Sequence, residues 1–173
     1  MITEPDWSTY SVGSAVPKEM RAEIGSVIIF QGSIEFELRV CVSRILRADP
    51  DVVETTTAEL SYKQLMSLLS SLVIAKLGKT SPLYEDFRVA AGRLDKFEEF
   101  RNLIAHSHWS HSLQDLSLPE QAARHKVTAK RGQGLTRSVT EVTLSELQLE
   151  LKRAVFYNGE LFQAVSRIAN SDA

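Results

Sequence analysis

The residues with the most chemical capacity sit in one short run, Asp95-Lys96-Phe97-Glu98-Glu99-Phe100-Arg101-Asn102-Leu103-Ile104-Ala105-His106. On a helix turning by about 100° per residue, Asp95, Glu98/Glu99, Asn102 and His106 fall on one stripe, with Arg101 at its border. Phe97, Phe100 and Ile104 then hold the adjoining face in a core. Such a stripe combines an imidazole that exchanges protons near neutral pH with a guanidinium shaped for anions. A plainer reading stands beside it. Arg101 pairs with Glu98 or Glu99 on a solvated face, and Asn102 and His106 form a polar cluster that ends a helix.

The elements that position this run are legible from hydrophobic period and capping residues. Residues 1–16 carry Pro5 and Gly13 without a helical period and read as an extended arm, with Trp7 and Tyr10 available to pin it. Pro17 suits a first helical position, and Ile24, Val27/Ile28, Ile34, Leu38, Cys41/Val42 and Ile45 recur as one long amphipathic helix. It should stop before Asp49-Pro50. A second stripe on it, Ile29, Phe36 and Val40, is accompanied by Gly25 and Gly32 and fits either a bundle core or a dimer face.

A second helix is expected after Thr55-Thr56-Thr57, ending at Gly78. A third starts at Ser81-Pro82 and carries the polar run near its end. After Trp109 the sequence reads as loop, and residues 124–142 then read as a β-hairpin turning at Arg131-Gly132-Gln133-Gly134. A last helix opens with a capping box, Thr143 with Glu146. The expected architecture is all-α: an antiparallel four-helix bundle over residues 17–173 as a single domain, with the hairpin as an insertion.

The run Arg101-Asn102-Leu103-Ile104-Ala105-His106 resembles the signature of the HEPN family, the higher eukaryote and prokaryote nucleotide-binding domains. In that family four to six residues separate an Arg, often followed by Asn, from a His near a helix end; here the interval is four. The resemblance implies a HEPN-like bundle and a homodimer that joins two such motifs. For members that are toxins or antiphage nucleases, it implies metal-independent cleavage of RNA. RNA supplies its own 2′-OH nucleophile, so cleavage needs a base, an acid and positive charge for the phosphorane. Two copies of His106 would share the proton transfers, Arg101 would hold the phosphate oxygens, and Asn102 would orient the imidazole or the phosphate. Glu98 or Glu99, with Asp95 nearby, would support Arg101. The resemblance equally allows a non-catalytic module that binds a nucleotide or a protein partner, such as an antitoxin-like nucleotidyltransferase.

Basic charge is concentrated elsewhere. Residues 121–140 hold Arg124, Lys126, Lys130, Arg131 and Arg137 and no Asp or Glu, in a chain of net charge -2. This hairpin is a candidate RNA-contacting arm, or an edge that basic residues protect from aggregation. His106, His108 and His111 would diverge on a continuing helix and lack a supporting cysteine, so no metal site is expected there. Trp109 reads as a plug with a satisfied indole N–H, or as a stacking platform for a base. The chain carries no P-loop, dinucleotide-binding, nucleophile-elbow or zinc-protease motif, and no cofactor is expected.

Composition bounds the rest. The 173 residues are 43% hydrophobic and 24% charged, a balance that buries a core without disulfides. The single cysteine, Cys41, lies on an apolar helix face. No apolar run approaches the length of a spanning helix, and no secretory leader pattern is visible, so a cytosolic protein is expected.

Overall fold

A computed structural model describes residues 16–112, 120–130 and 134–171. Of the arm expected over 1–16, only Val16 lies within the described residues, and it is buried. The elements in order are α1 (Lys18–Leu46), α2 (Pro50–Thr57), α3 (Tyr62–Leu77), α4 (Pro82–Ala105), β1 (His108–His111), β2 (Gln121–Lys130), β3 (Gly134–Thr143) and α5 (Leu144–Asn170). The described chain is therefore mostly helical, with a small antiparallel sheet of order β1-β2-β3.

Local chemistry sets the helix ends. α1 stops as expected before Asp49-Pro50. Arg47 takes the left-handed conformation at φ 53°. The Ala48 amide then reaches the Ser43 carbonyl at 3.1 Å and the Arg47 amide reaches that of Arg44 at 3.3 Å. This is the two-bond closure in which glycine usually supplies the left-handed residue. Asp49 next caps α2, its carboxylate accepting from the Asp51 amide at 2.8 Å, with Pro50 in the first turn.

That short helix corrects the expected start at Thr55-Thr56-Thr57. The threonines lie inside α2, and their hydroxyls donate back to the carbonyls of Asp51, Val52 and Val53. Each is occupied within its own helix. The cap of α3 is Ser61 instead, whose amide donates to Gln64 Oε1 at 2.9 Å. Gly78, at φ 71°, closes α3 on the Ile74 carbonyl. The capping box of α5 forms as expected: the Thr143 amide donates to Glu146 Oε2 at 2.7 Å and the Glu146 amide to Thr143 Oγ1 at 3.2 Å.

Among the described residues, contacts cluster in two compact units. The helical unit comprises Ser26–Asn102 and Leu149–Ala173. Its core takes Val27, Ile34, Leu38 and Cys41 from α1, and Leu65, Leu69 and Val73 from α3, all at most 1% exposed. α4 adds Phe87, Leu94 and Phe97, and α5 adds Leu161, Val165 and Ile168. Glu37 meets Asn158 and Arg44 meets Ser166, so α1 and α5 run parallel. Asp86 meets Arg167 and Arg93 meets Glu160, so α4 runs against α5. Thus α1 and α5, the first and last helices, run in the same direction.

The sheet unit comprises the described residues within 16–25 and 103–148. The expected hairpin is present as the β2–β3 pair, and β1 adds a third strand to it: His108 and Trp109, expected at the end of the third helix, and Ser110 and His111, expected in the loop after it, pair with β2 instead. Four residues are too few for a period of two to show. β2 and β3 pair over their full length, from Gln121↔Thr143 to Lys130↔Gly134. The expected turn lies outside the described residues except for Gly134, which takes φ 77°. No described helix is long and apolar enough to cross a membrane.

Candidate functional site

Near the end of α4, the structure brings three of the expected residues together. Glu98 is 5% exposed, an unusual burial for a carboxylate. Both of its oxygens accept from Arg101 Nη2, at 2.8 and 2.7 Å, and Oε1 also accepts from Asn102 Nδ2 at 2.9 Å. The i, i+3 and i, i+4 spacings place these side chains on one helical face. Arg101 Nε is buried without a hydrogen-bond partner. The guanidinium is thus held on one side by a carboxylate, at 18% side-chain exposure.

The other expected supports take different places. Asp95 is exposed and accepts from the Tyr62 hydroxyl of α3 at 3.0 Å. Burial first, and then the Asp95 charge, push the Tyr62 phenol well above its ordinary value. Glu99 is exposed. A groove between α3 and α4 is lined by Lys63, Ser67, Asp95, Glu98 and Glu99, so its wall on α4 is acidic.

His106 follows the last residue of α4, exposed in the turn. The helix ends here because side chains take its last carbonyls. Trp109 Nε1 donates to the Ile104 carbonyl at 3.1 Å, and Ser107 Oγ donates to that of Leu103. Trp109 therefore has the satisfied indole expected of a plug. Because α4 stops at Ala105, His108 and His111 lie on β1, both exposed, and the helical argument for their divergence does not apply. Among the described residues, no group of three or more His, Cys, Asp or Glu is placed to hold a metal ion.

Strand register sorts the basic residues. Trp109 pairs with Arg124, which pairs with Thr140, so Trp109, Arg124, Lys126 and the Lys130 position share one face of the sheet. Arg124 and Lys126 are half-buried there. Arg137 pairs with Val127 on the opposite face and is exposed. Arg131 lies outside the described residues.

The opposite face holds a cluster that sequence reading missed. His108 stands directly across from His125, their ring centroids 5.8 Å apart, and Ser110 Oγ lies 2.8 Å from His125 Nε2. Their separation in sequence, 15 residues between Ser110 and His125, leaves no local signal.

Cys41 is buried in the α1 core, and that burial raises its thiol to about 12, so it is a packing residue. Comparison with protein-family models, with curated proteins and with solved structures returned no match.

Proposed function

We propose that this chain is a metal-independent endoribonuclease, or an RNA-binding protein derived from one, of the HEPN type and of a toxin or defence setting. It works as a cytoplasmic homodimer with Arg101, Asn102 and His106 at the seam. The observation that carries the reading is the buried Glu98 carboxylate, which holds Arg101 and Asn102 in one orientation. A guanidinium held this way is preorganised for a phosphate, and preorganisation is the larger part of electrostatic catalysis. His106 is exposed, so its imidazole is accessible to solvent and substrate.

Two surface features support the assembly. Ile29 and Phe36, 74% and 54% exposed on α1, present apolar area beside Gly32, around which a Cβ would meet nothing within 4 Å. Such a stripe suits a second copy of the chain. The sheet face with Trp109, Arg124 and Lys126 couples an aromatic ring with positive charge, the combination that holds single-stranded RNA.

A second reading has its own observation. Glu98 already neutralises Arg101, and the groove beside it is acidic, which repels a phosphate backbone. This favours a non-catalytic module that binds a protein partner, such as an antitoxin-like protein, or a nucleotide through its helical faces.

The test is cleavage of end-labelled single-stranded and structured RNAs in EDTA by wild type, Arg101→Ala and His106→Ala proteins of equal mass in solution. Cleavage with 2′,3′-cyclic phosphate ends, lost in both variants, establishes the nuclease. Absence of cleavage, or cleavage retained by both variants, leaves the binding module.

A further inference from the structure

We propose that His108 and His125 form a binding site for one borderline divalent transition-metal ion, of the copper, nickel or zinc class, with its remaining positions open to water or an exogenous ligand. The proposal does not depend on the ribonuclease reading.

The argument begins with register. In an antiparallel pair, residues directly across from each other project to the same side with their Cβ atoms about 5 Å apart. His108 and His125 are such a pair. Two imidazoles bound to one ion at about 2.0–2.1 Å, near the tetrahedral angle, place their ring centroids about 5–6 Å apart. The observed separation is 5.8 Å, with the rings tilted by 50°. The ring separation is therefore already that of a chelated pair.

Ser110 is placed to select which nitrogen of His125 is available. Its hydroxyl has one proton, and one arrangement donates it to the His111 carbonyl at 3.1 Å. Toward His125 Nε2, 2.8 Å away, the hydroxyl then accepts from the tautomer that carries its hydrogen on Nε2. In the neutral ring this leaves the Nδ1 lone pair unprotonated, the form a metal requires. A hydrogen bond to the far nitrogen is the usual way a ligating imidazole is oriented and its basicity raised. His108 is exposed and reaches solvent, which supplies an entry path, and Val127 and Val139 beside His125 on this face provide an apolar border. Imidazole ligands without thiolate suit copper and nickel as well as zinc, with copper bound most tightly.

The experiment uses the untagged 173-residue chain, stripped with chelator and titrated with Cu(II) at neutral pH. Binding is followed by paramagnetic resonance, and Zn(II) binding is followed by calorimetry. One equivalent of Cu(II) is expected to bind with a two-nitrogen signature. His108→Ala and His125→Ala should each lose that signature and weaken binding at least tenfold, while circular dichroism shows the native helix content. Ser110→Ala should weaken binding by about tenfold, and Ser110→Thr should restore it. The His106→Ala, His111→Ala double variant should bind as wild type does. Wild-type protein that binds no Cu(II) overturns the proposal, as does binding that survives loss of His108 or His125 or disappears with His106 and His111. RNA cleavage in EDTA is measured apart from this, so either conclusion can fail alone.

Discussion

Arg101 reaches both carboxylate oxygens of Glu98 through a single nitrogen, one helical turn away, at 2.8 and 2.7 Å. The pair is largely removed from water, at 18% and 7% side-chain exposure. Its attraction must offset the cost of desolvating two charges, so breaking it from one side is far more costly than replacing it whole. Glu98→Ala should therefore destabilise the protein by about 3 kcal/mol. The Glu98→Met, Arg101→Met double variant should lie within about 1 kcal/mol of wild type, since both charges leave together. Urea denaturation midpoints at pH 7 check both values; a double variant as unstable as Glu98→Ala alone would show that the pair is not the source.

Gln31 is 4% exposed on α1, and neither its amide nitrogen nor its amide oxygen has a hydrogen-bond partner. A buried amide left unpaired costs about 1–3 kcal/mol. Gln31→Met keeps the volume and removes the polar group, so it should raise stability by about 1 kcal/mol, readable as an increase in the thermal midpoint. A drop in the midpoint would mean that the amide is satisfied in solution.

Tyr62 sets an alkaline limit. Its phenol is raised above 10.0 by burial and by the adjacent Asp95 charge. The folded state thus keeps a proton that the unfolded state releases. The associated stability is complete below about pH 10 and declines as pH rises beyond it. Cys41, raised by burial from 9.0 to about 12, adds a decline that starts lower. Tyr62→Phe should cost about 1 kcal/mol near neutrality, through loss of the bond to Asp95, and the gap to wild type should close above pH 10. Denaturation curves from pH 7 to 11 measure that gap directly.

Arg124 and Lys126 test the basic sheet face. If it carries RNA, Arg124→Glu with Lys126→Glu should weaken binding of a single-stranded oligonucleotide and reduce the slope of log K against log salt by about 1.4, the share of two phosphate contacts. Reversal of Arg137 on the opposite face should have a smaller effect. Equal effects from the two faces in a filter-binding salt series would remove the face-specific reading.

The features legible in the residues alone are local. The stops at Asp49-Pro50 and Gly78, the start at Ser81-Pro82, and the Thr143–Glu146 box are legible because each depends on hydrogen bonds or steric limits within a few residues. The approach of Arg101 to Glu98 or Glu99 was visible for the same reason, as one turn of helix. Even here competition mattered: Asp49-Pro50 opened a helix early and took in threonines that would otherwise have capped the next one. Tertiary structure decided the relationships across longer separations. It chose Glu98 over Glu99, and it turned Asp95 toward Tyr62, 33 residues away. It also gave His108–His111 a partner strand, divided the basic residues between two faces and set His108 against His125. Strand register and helix packing are set by burial summed over many distant side chains, and a shift of one residue along a strand exchanges its faces. No short run of residues carries that information.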